Sequence, residues 1–511
     1  MYRIQRSSIN MLSSAAGYVI PMLVNLITTP LLLRGLGEAA YGLQSLVAVI
    51  IGYLTFMDMG LDLPVTKLLA EDRARKDVDA ENCLLSTTMQ LYVAIGLLGM
   101  IAIMLLAEWF VRSIFQVPEG LVSQAVIVFR LAGIGFVGSV GMSWGRAVAM
   151  GLHRFDLNYS VSVVASTAGT LIGLGVVYAG YGVVGYVLIR VIFTALTGPI
   201  YFILTRHLLP SFHFVLGVHR PTLRRVSGYV GYGAFNRVTS SFVSRLDQTL
   251  LGVWVGVTAA GIYSVPLMLV NSLGYMLAYM LGFIFPMASE LQSLGQMDRL
   301  RDIFIRSSQF IAALAGLFFI PMFVLGDLFL ALWTPTISTK AAGVLQLLAL
   351  AGYIGTLTAT LPNSVMVGLG KMCQFTIYTT IRAVALATFC VIFIRPLGIE
   401  GAGWALLFTC SVDIVYFYIF LRRYIQITPL LLLGKAYLKP ILLGVIFAAL
   451  TFLCRPFVIS WIGFGAVGIG LLVIYLTVGF VVGVFGEAEK RVLMILYDSA
   501  KDRVSRVQSS L

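Results

Sequence analysis

The sequence predicts an all-α polytopic membrane protein with about fourteen transmembrane helices, and three observations support this fold class. First, 59% of the 511 residues are hydrophobic and only 11% are charged, which leaves too little polar surface to cover a soluble globule of this size. Second, the apolar residues come in stretches of about 20, the length that one helix needs to cross a bilayer core. Third, basic residues gather in alternate connections, as they do in multi-pass membrane proteins.

Six apolar stretches of spanning length occur in the first half of the chain, and eight follow. The first six lie near residues 11–33, 41–63, 83–106, 121–146, 158–180 and 183–205. The others lie near residues 228–254, 258–287, 307–332, 341–368, 375–394, 398–422, 436–454 and 460–485. An even number of spans predicts that both termini lie on one side of the membrane.

The net charge of +13 is explained by membrane topology rather than by nucleic-acid binding. Of the 35 Lys and Arg residues, five fall in the opposite connections and six within spans, and the remainder lie on the side of the termini. The positive-inside rule therefore predicts cytoplasmic termini. The five cysteines are scattered and odd in number, which favours neither a disulfide framework nor a metal site. We expect no metal, no other cofactor and no nucleic-acid partner.

An internal duplication is visible when the sequence is shifted by 222 residues. The glycine, tyrosine and proline residues that coincide are Tyr41, Gly52, Tyr53, Gly60 and Pro64 with Tyr263, Gly274, Tyr275, Gly282 and Pro286. The shift predicts two parallel six-helix repeats, an N-lobe (1–227) and a C-lobe (228–424), followed by helices 13 and 14 with a basic cytoplasmic tail (425–511). In such architectures the substrate site lies near mid-membrane between the repeats.

Charged residues inside the spans are the candidate functional residues, because a charge in hydrocarbon costs at least about 2.5 kcal/mol. Six arginines lie within spans: Arg130, Arg146, Arg190, Arg237, Arg245 and Arg382. Against them stand three carboxylates, Asp58, Asp247 and Asp413. The interior is therefore net positive and predicts an anionic substrate. Guanidinium groups suit phosphate, since their planar fork binds two oxygens at once.

Helix 7 (residues 228–254) carries the densest charge. On this helix Arg237 and Arg245 are eight residues apart, so their directions differ by only about 80° and they can share one wall. Arg245 and Asp247 point in opposed directions, so Asp247 needs a partner on another helix. On helix 4, Arg130 and Arg146 lie about 24 Å apart along the axis and could pass a phosphate along.

These considerations give three groups of candidates. The substrate-binding candidates are Arg130, Arg146, Arg237, Arg245 and Asn25, the last because it coincides with Asp247 under the shift. Arg190 and Arg382 are secondary candidates, for which snorkelling or a structural ion pair is the alternative. Asp58, Asp247 and Asp413 are candidate carriers of a coupling H⁺ or Na⁺, and plain charge balance for the arginines is the competing interpretation. No catalytic residue is predicted.

Several motifs match a known family in order and spacing. They are Leu33-Arg34-Gly35-Leu36-Gly37 with Tyr41-Gly42, Asp58-Met59-Gly60-Leu61, Lys67-Leu68-Leu69-Ala70-Glu71, Asp247-Gln248-Thr249-Leu250-Leu251-Gly252 with Gly261-Ile262-Tyr263, and Gly368-Leu369-Gly370-Lys371. Together they resemble the Wzx-type polysaccharide flippases of the multidrug/oligosaccharidyl-lipid/polysaccharide (MOP) exporter superfamily. The resemblance covers helices 1 to 12.

The resemblance implies a function. Such flippases move polyprenyl-pyrophosphate-linked oligosaccharide units from the cytoplasmic to the outer leaflet of the bacterial inner membrane, for cell-surface polysaccharides such as O-antigen, lipopolysaccharide or exopolysaccharide. Alternating access, coupling to an ion gradient and polysaccharide-assembly proteins as partners are also implied. The arginines would then bind the pyrophosphate.

Three alternatives stay open at this point. The chain could flip lipid II or another lipid-linked sugar, it could be a multidrug or cation antiporter of the same superfamily, or it could be a membrane glycan polymerase or ligase. An antiporter of cations should have an acidic interior, and a glycan enzyme usually has large outward loops, which this sequence lacks. Gly370-Lys371 is followed by Met372 and so forms no ATP-binding P-loop. We expect a transporter and not an enzyme.

Overall fold

The computed structural model describes residues 2–54, 60–152, 154–227 and 231–484, and all regular secondary structure in these ranges is helical. The α-helices, in chain order, are α1 (Tyr2–Leu36), α2 (Glu38–Leu54), α3 (Asp62–Arg75), α4 (Val78–Trp109), α5 (Val122–Gly151), α6 (Phe155–Val176), α7 (Gly182–Leu208), α8 (Arg220–Ser227), α9 (Gly231–Val243), α10 (Leu246–Trp254), α11 (Val257–Met280), α12 (Ile284–Ser293), α13 (Met297–Trp333), α14 (Ser338–Gly355), α15 (Leu361–Gly368), α16 (Met372–Leu397), α17 (Ile399–Phe420), α18 (Pro429–Leu432), α19 (Leu438–Leu453) and α20 (Trp461–Val481). Short π-helical segments occur at Phe110–Ile114, Val177–Tyr181, Thr356–Thr360, Leu421–Ile425 and Leu433–Tyr437.

The predicted all-α membrane fold is confirmed. In the described ranges, 11 helical stretches are long and apolar enough to cross a membrane. One of them, Ser160–Leu208, has 49 residues and contains two predicted spans. Glu38–Leu54 is apolar but has only 17 residues, and helix 7 is interrupted. When Ser160–Leu208 is counted as two spans, and Glu38–Leu54 and the interrupted helix 7 are added, the 11 stretches give the fourteen predicted spans.

Helix ends follow from local sequence where the chain turns. Asp77 precedes α4, and its side chain accepts a hydrogen bond from the amide of Ala80 at 2.9 Å. Ser460 caps α20 in the same way through the amide of Gly463. Such caps satisfy amides that the first helical turn leaves without a partner.

The chain forms two compact units. The first contains Met1–Met268, Trp333–Val344 and Met372–Thr409, and the second contains Leu269–Leu332, Leu345–Lys371 and Cys410–Leu511. These units group residues by their contacts, whereas the predicted repeats are related by sequence similarity. The division into two repeats and a C-terminal segment therefore stays a prediction.

In the first unit, the segment that follows α7 is fastened to the core around α3, α4 and α5. Arg225 on α8 binds both carboxylate oxygens of Asp72 on α3, at 3.0 and 2.6 Å, and Asp72 is only 2% exposed. Val226 is buried in the same hydrophobic cluster. The hydrogen bonds that Arg225 donates to Asp72 hold the pKa of Arg225 above its usual value. Helix α8 is therefore held in a fixed position within the first unit.

In the second unit, α19 and α20 pack against α13. Tyr475 on α20 donates a hydrogen bond to the carbonyl of Ala313 at 2.7 Å and lies 4.5 Å from the ring of Phe447 on α19. Tyr475 is buried, and burial of a tyrosine favours a hydrogen-bonded hydroxyl. The two helices outside the predicted duplication are thus attached through a specific aromatic contact.

Candidate functional site

Helix 7 is interrupted in the middle. Helix α9 ends at Val243, α10 begins at Leu246, and Arg245 between them has φ −138° and ψ −8°, outside helical geometry. The prediction of a continuous helix over 228–254 is therefore wrong. The run Thr239–Ser244 contains four hydroxyl side chains, and the hydroxyls of Thr239 and Ser244 bond to carbonyls of their own helix. Such local bonds compete with the helical ladder and bend helices.

Arg245 lies at this interruption, beside the last turn of α2. Its Nη1 donates to the carbonyl of Ala48 at 3.4 Å. The guanidinium occupies space that a side chain at Gly52 would fill, since a Cβ atom there would collide with it. Because Gly52 has no side chain, the charged group of Arg245 can lie against the backbone of α2. The position of the guanidinium is thus set by a neighbouring helix as well as by its own.

Helix α10 is held between α2 and α16. The hydroxyls of Tyr53 on α2 and Thr249 on α10 are 2.8 Å apart. At the other end of α10, the guanidinium of Arg395 on α16 stacks over the ring of Trp254 at 4.8 Å. These contacts at both ends fix a helix of only nine residues.

Asp247 lies in the first turn of α10 and is 2% exposed. The Tyr263 hydroxyl on α11 donates a short hydrogen bond to one carboxylate oxygen, and the amide of Gln248 donates to the other at 2.8 Å. The turn between α10 and α11 makes this meeting possible because Gly256 adopts φ 116°, which favours glycine. Tyr263 is thus the partner from another helix that Asp247 was predicted to need.

Arg382 and Arg237 belong to neighbouring parts of the first unit. Arg382 on α16 is half-buried, and α16 packs against both α9 and α10. Arg237 lies within α9, but its side chain is outside what the structure describes. Because the helix is interrupted after Val243, the predicted angle of about 80° between Arg237 and Arg245 no longer applies.

Arg130 and Arg146 both lie on α5 and are both exposed. Helix α5 is continuous, so sixteen residues place their directions about 160° apart. One face of α5 therefore does not present both arginines, and the passing of a phosphate from one to the other stays a prediction. Each of them stays a separate candidate.

The remaining candidates are dispersed. Arg190 on α7 donates to the Thr170 hydroxyl on α6 at 2.6 Å, which is a structural role within the first repeat. Asn25 on α1 is exposed. Asp413 is fully buried in α17, in the second unit. Asp58 lies outside the described residues. The structure thus brings together Arg245, Asp247 and Arg382 out of the predicted set.

At the other end of α2, the two predicted lobes are in close contact. The backbones of Gly42 on α2 and Gly261 on α11 approach so closely that a Cβ atom on either glycine would collide with the other helix. Lys340 at the start of α14 pairs with Glu38 at the start of α2 at 2.8 Å. These contacts join the lobes at the ends predicted to face outward.

Reversing the charge of Glu38 tests how much its ion pair with Lys340 contributes to transport. The two side chains are 25% and 54% exposed, so their pairing contributes at most about 1 kcal/mol. We expect Glu38→Lys to change the transport rate by no more than about fivefold. The double variant Glu38→Lys/Lys340→Glu should restore the transport rate of the wild-type protein. A double-mutant cycle on the reconstituted protein would measure this. Equal defects in the single and double variants would contradict a direct pairing.

Sequence reasoning missed three features of this site. They are the interruption of helix 7, the space beside Gly52 that the Arg245 guanidinium occupies, and the hydrogen bond that Tyr263 donates to Asp247. Tyr263 was visible only as a residue that coincides with Tyr41 under the 222-residue shift and as part of the Gly261-Ile262-Tyr263 motif. The hydroxyl-rich run before Arg245 was the one available signal for the interruption.

The fold and the buried charges define a multi-pass membrane protein of the transporter class, and comparisons with solved structures agree. A multidrug resistance MATE family transporter of the MOP superfamily, in an inward-facing conformation, matches with a TM-score of 0.68 and 14% identity, over 83% of this chain and 98% of that one. The lipid II flippase MurJ, in an inward closed conformation, matches with a TM-score of 0.70 and 10% identity, over 92% of this chain and 98% of that one. The likeness establishes the fold.

The chain belongs to the family of polysaccharide biosynthesis proteins, whose profile matches residues 8–292. A protein of Shigella flexneri named "Putative O-antigen transporter" is 21% identical over 364 residues, which are 70% of this chain and 83% of that protein. The resemblance predicted from the motifs is thereby confirmed, and with it the prediction of a transporter rather than an enzyme.

Proposed function

We propose that this protein moves polyprenyl-pyrophosphate-linked oligosaccharide units from the cytoplasmic to the outer leaflet of a bacterial inner membrane, with both termini in the cytoplasm. The observation that carries the proposal is the interruption of helix 7, where Arg245 lies against α2. In this proposal the interruption binds the pyrophosphate.

The interruption has the properties of an anion site. The first amides of a helix lack intrahelical partners and carry the positive end of its dipole, so they attract phosphate. Discontinuous helices of transporters use such half-helix ends for anionic substrate groups. Here the Arg245 side chain does not cap α10 but adds a full positive charge just before its first turn, where the Gln248 amide is already bonded to the Asp247 carboxylate and the amides before it stay available to a phosphate.

The exposed arginines of α5 support the same substrate class. Arg130 and Arg146 lie on α5, which is a largely apolar helix, and both side chains are exposed. A guanidinium facing hydrocarbon is costly, so such residues are retained where they line an aqueous path or bind an anion. A cationic substrate would be repelled by this set.

Asp247 is the residue to which we assign the coupling ion, H⁺ or Na⁺. It is buried in the first turn of α10, two residues after Arg245, so a change in its charge would alter the field at the proposed phosphate site. Arg382 provides the opposing charge on α16. Substrate binding and ion binding would then be linked through α10.

The experiment that tests the function is reconstitution into liposomes. Exchange of a fluorescent polyprenyl-pyrophosphate oligosaccharide between leaflets is compared with efflux of a cationic dye, each with and without a proton or sodium gradient. We expect lipid exchange, faster with one of the gradients, and no dye efflux. Dye efflux without lipid movement would reject the proposal and favour a drug antiporter.

Gly52→Ala tests the site through a residue that bears no charge. The added methyl group collides with the guanidinium of Arg245, so we expect Arg245 to be displaced and lipid exchange to fall about tenfold. Gly274→Ala is the matched control, because Gly274 coincides with Gly52 under the 222-residue shift and has open space around it. Equal rates in the two variants would show that the position of Arg245 does not matter.

A further inference from the structure

The second unit contains a cavity of about 350 Å³ beside α17, α19 and the segment that joins them. Its walls are largely carbon, with Leu357, Ile414, Phe417 and Ile441 among the lining residues. The joining segment follows the last helix of the predicted second repeat. This places the cavity at the side of the membrane predicted to be cytoplasmic.

Three π-helical segments contribute to the walls of this one cavity. They are Thr356–Thr360, Leu421–Ile425 and Leu433–Tyr437. A π-helical turn is rare and occurs frequently at functional sites. Their convergence indicates that the cavity is a built feature of the unit and not a packing defect.

Two of the four polar side chains in the wall, Thr358 and Tyr437, direct their hydrogen bonds into the protein. Thr358 donates to the carbonyl of Ile354 at 2.8 Å, and Tyr437 donates to the carbonyl of Leu357 at 2.7 Å. A buried water needs two to four polar partners, and these two hydroxyls have already used their protons. The interior therefore suits a hydrocarbon chain.

A positive charge lies at the rim. Arg422 is exposed, and its Nη1 donates to the Tyr418 hydroxyl at 3.4 Å, while Tyr418 itself lines the cavity. The Tyr418 hydroxyl accepts this bond and so keeps its own proton for a further acceptor. A guanidinium and a hydroxyl donor beside an apolar cavity are complementary to an anionic lipid, whose phosphate lies where its chain begins.

We propose that this cavity holds one acyl chain of an anionic phospholipid, with the lipid phosphate bound by Arg422 and the Tyr418 hydroxyl. Basic groups between helices at the cytoplasmic surface are typical sites for anionic headgroups. The cavity uses α19 and the segment before it, which lie outside the predicted duplication, and one guanidinium matches a single phosphodiester. The inference does not depend on the proposed transport function.

Native mass spectrometry of the full-length protein in detergent tests the inference, with phosphatidylglycerol as the probe and phosphatidylcholine as the uncharged comparison. We expect one tightly bound phosphatidylglycerol. Arg422→Gln should weaken it about tenfold, whereas Arg423→Gln, which removes the same charge one residue away, should not. Ile414→Trp fills the cavity and should abolish binding, whereas Val415→Trp, on the same helix but outside the lining, should leave it unchanged.

Several results would overturn the inference. Equal binding of phosphatidylglycerol and phosphatidylcholine would show that the net negative charge of the lipid does not contribute to binding. Retention of phosphatidylglycerol by Ile414→Trp would place the lipid elsewhere. Binding of a polyprenyl phosphate in place of phosphatidylglycerol, lost in Ile414→Trp, would assign the cavity to the transported lipid instead. Arg422 is on the surface, so Arg422→Gln keeps the test valid if the tryptophan variant fails to fold.

Discussion

Replacing Arg245 with Gln is expected to reduce leaflet exchange of the polyprenyl-pyrophosphate oligosaccharide by about ten- to a hundredfold. A hydrogen bond to a charged group contributes about 1.5–3 kcal/mol, and each 1.4 kcal/mol is tenfold in affinity. Arg245 lies at the interruption of helix 7, where the first amides of α10 add to its field. Initial rates in liposomes, at saturating and at low lipid concentration, would measure the loss.

Two variants separate phosphate binding from structural support. Arg245→Lys keeps the charge but not the planar fork, so it should recover part of the rate. Arg190→Gln removes an arginine that bonds to Thr170 within the first repeat, and it should leave exchange near the wild-type rate. Full activity of Arg245→Gln with normal membrane insertion would refute an anion site at the interruption.

Asp247→Asn should make leaflet exchange independent of the ion gradient. The amide keeps the shape of the carboxylate but neither binds Na⁺ strongly nor takes up a proton, so acceleration by the gradient should vanish while exchange without a gradient continues. Tyr263→Phe removes the hydroxyl donor to Asp247 but keeps the carboxylate, and it should shift the ion concentration that gives half of the maximal rate.

The double variant Asp247→Asn/Arg382→Gln distinguishes coupling from charge balance. If Asp247 only balances the charge of Arg382, Asp247→Asn removes that balance from a half-buried arginine, and removing Arg382 as well should restore thermal stability and transport. If Asp247 carries the ion, leaflet exchange by the double variant should still be independent of the ion gradient. The gradient response is the deciding readout.

The sequence was sufficient for the fold because a bilayer imposes strict rules of length and polarity. Stretches such as Met297–Trp333 and Trp461–Val481 are recognisable by hydropathy alone. Arg245 and Asp247 stood out for the same reason, since charges are rarely kept inside spans without a function. The family followed from the order of short motifs and is confirmed by the match over residues 8–292.

The arrangement of the site could not be predicted, because it depends on neighbours that are distant in sequence. No proline or glycine lies between Thr239 and Leu246, so nothing among the usual helix breakers announced the interruption. The space at Gly52 has meaning only once α2 lies beside Arg245. Likewise, spacing places Arg130 and Arg146 on α5 but does not say which of its faces other helices cover.

The interruption of helix 7 also has a consequence for how the chain enters the membrane. Helices α9 and α10 have 13 and nine residues, about 20 and 14 Å, and a bilayer core is about 30 Å thick. Neither piece spans alone, and the described part of this region contains no helix long enough to qualify as a span. Its stable insertion therefore needs α2, made earlier, to receive Arg245, and α11, made later, to supply Tyr263. We therefore expect this segment to settle in the membrane during synthesis only after α11 has followed it.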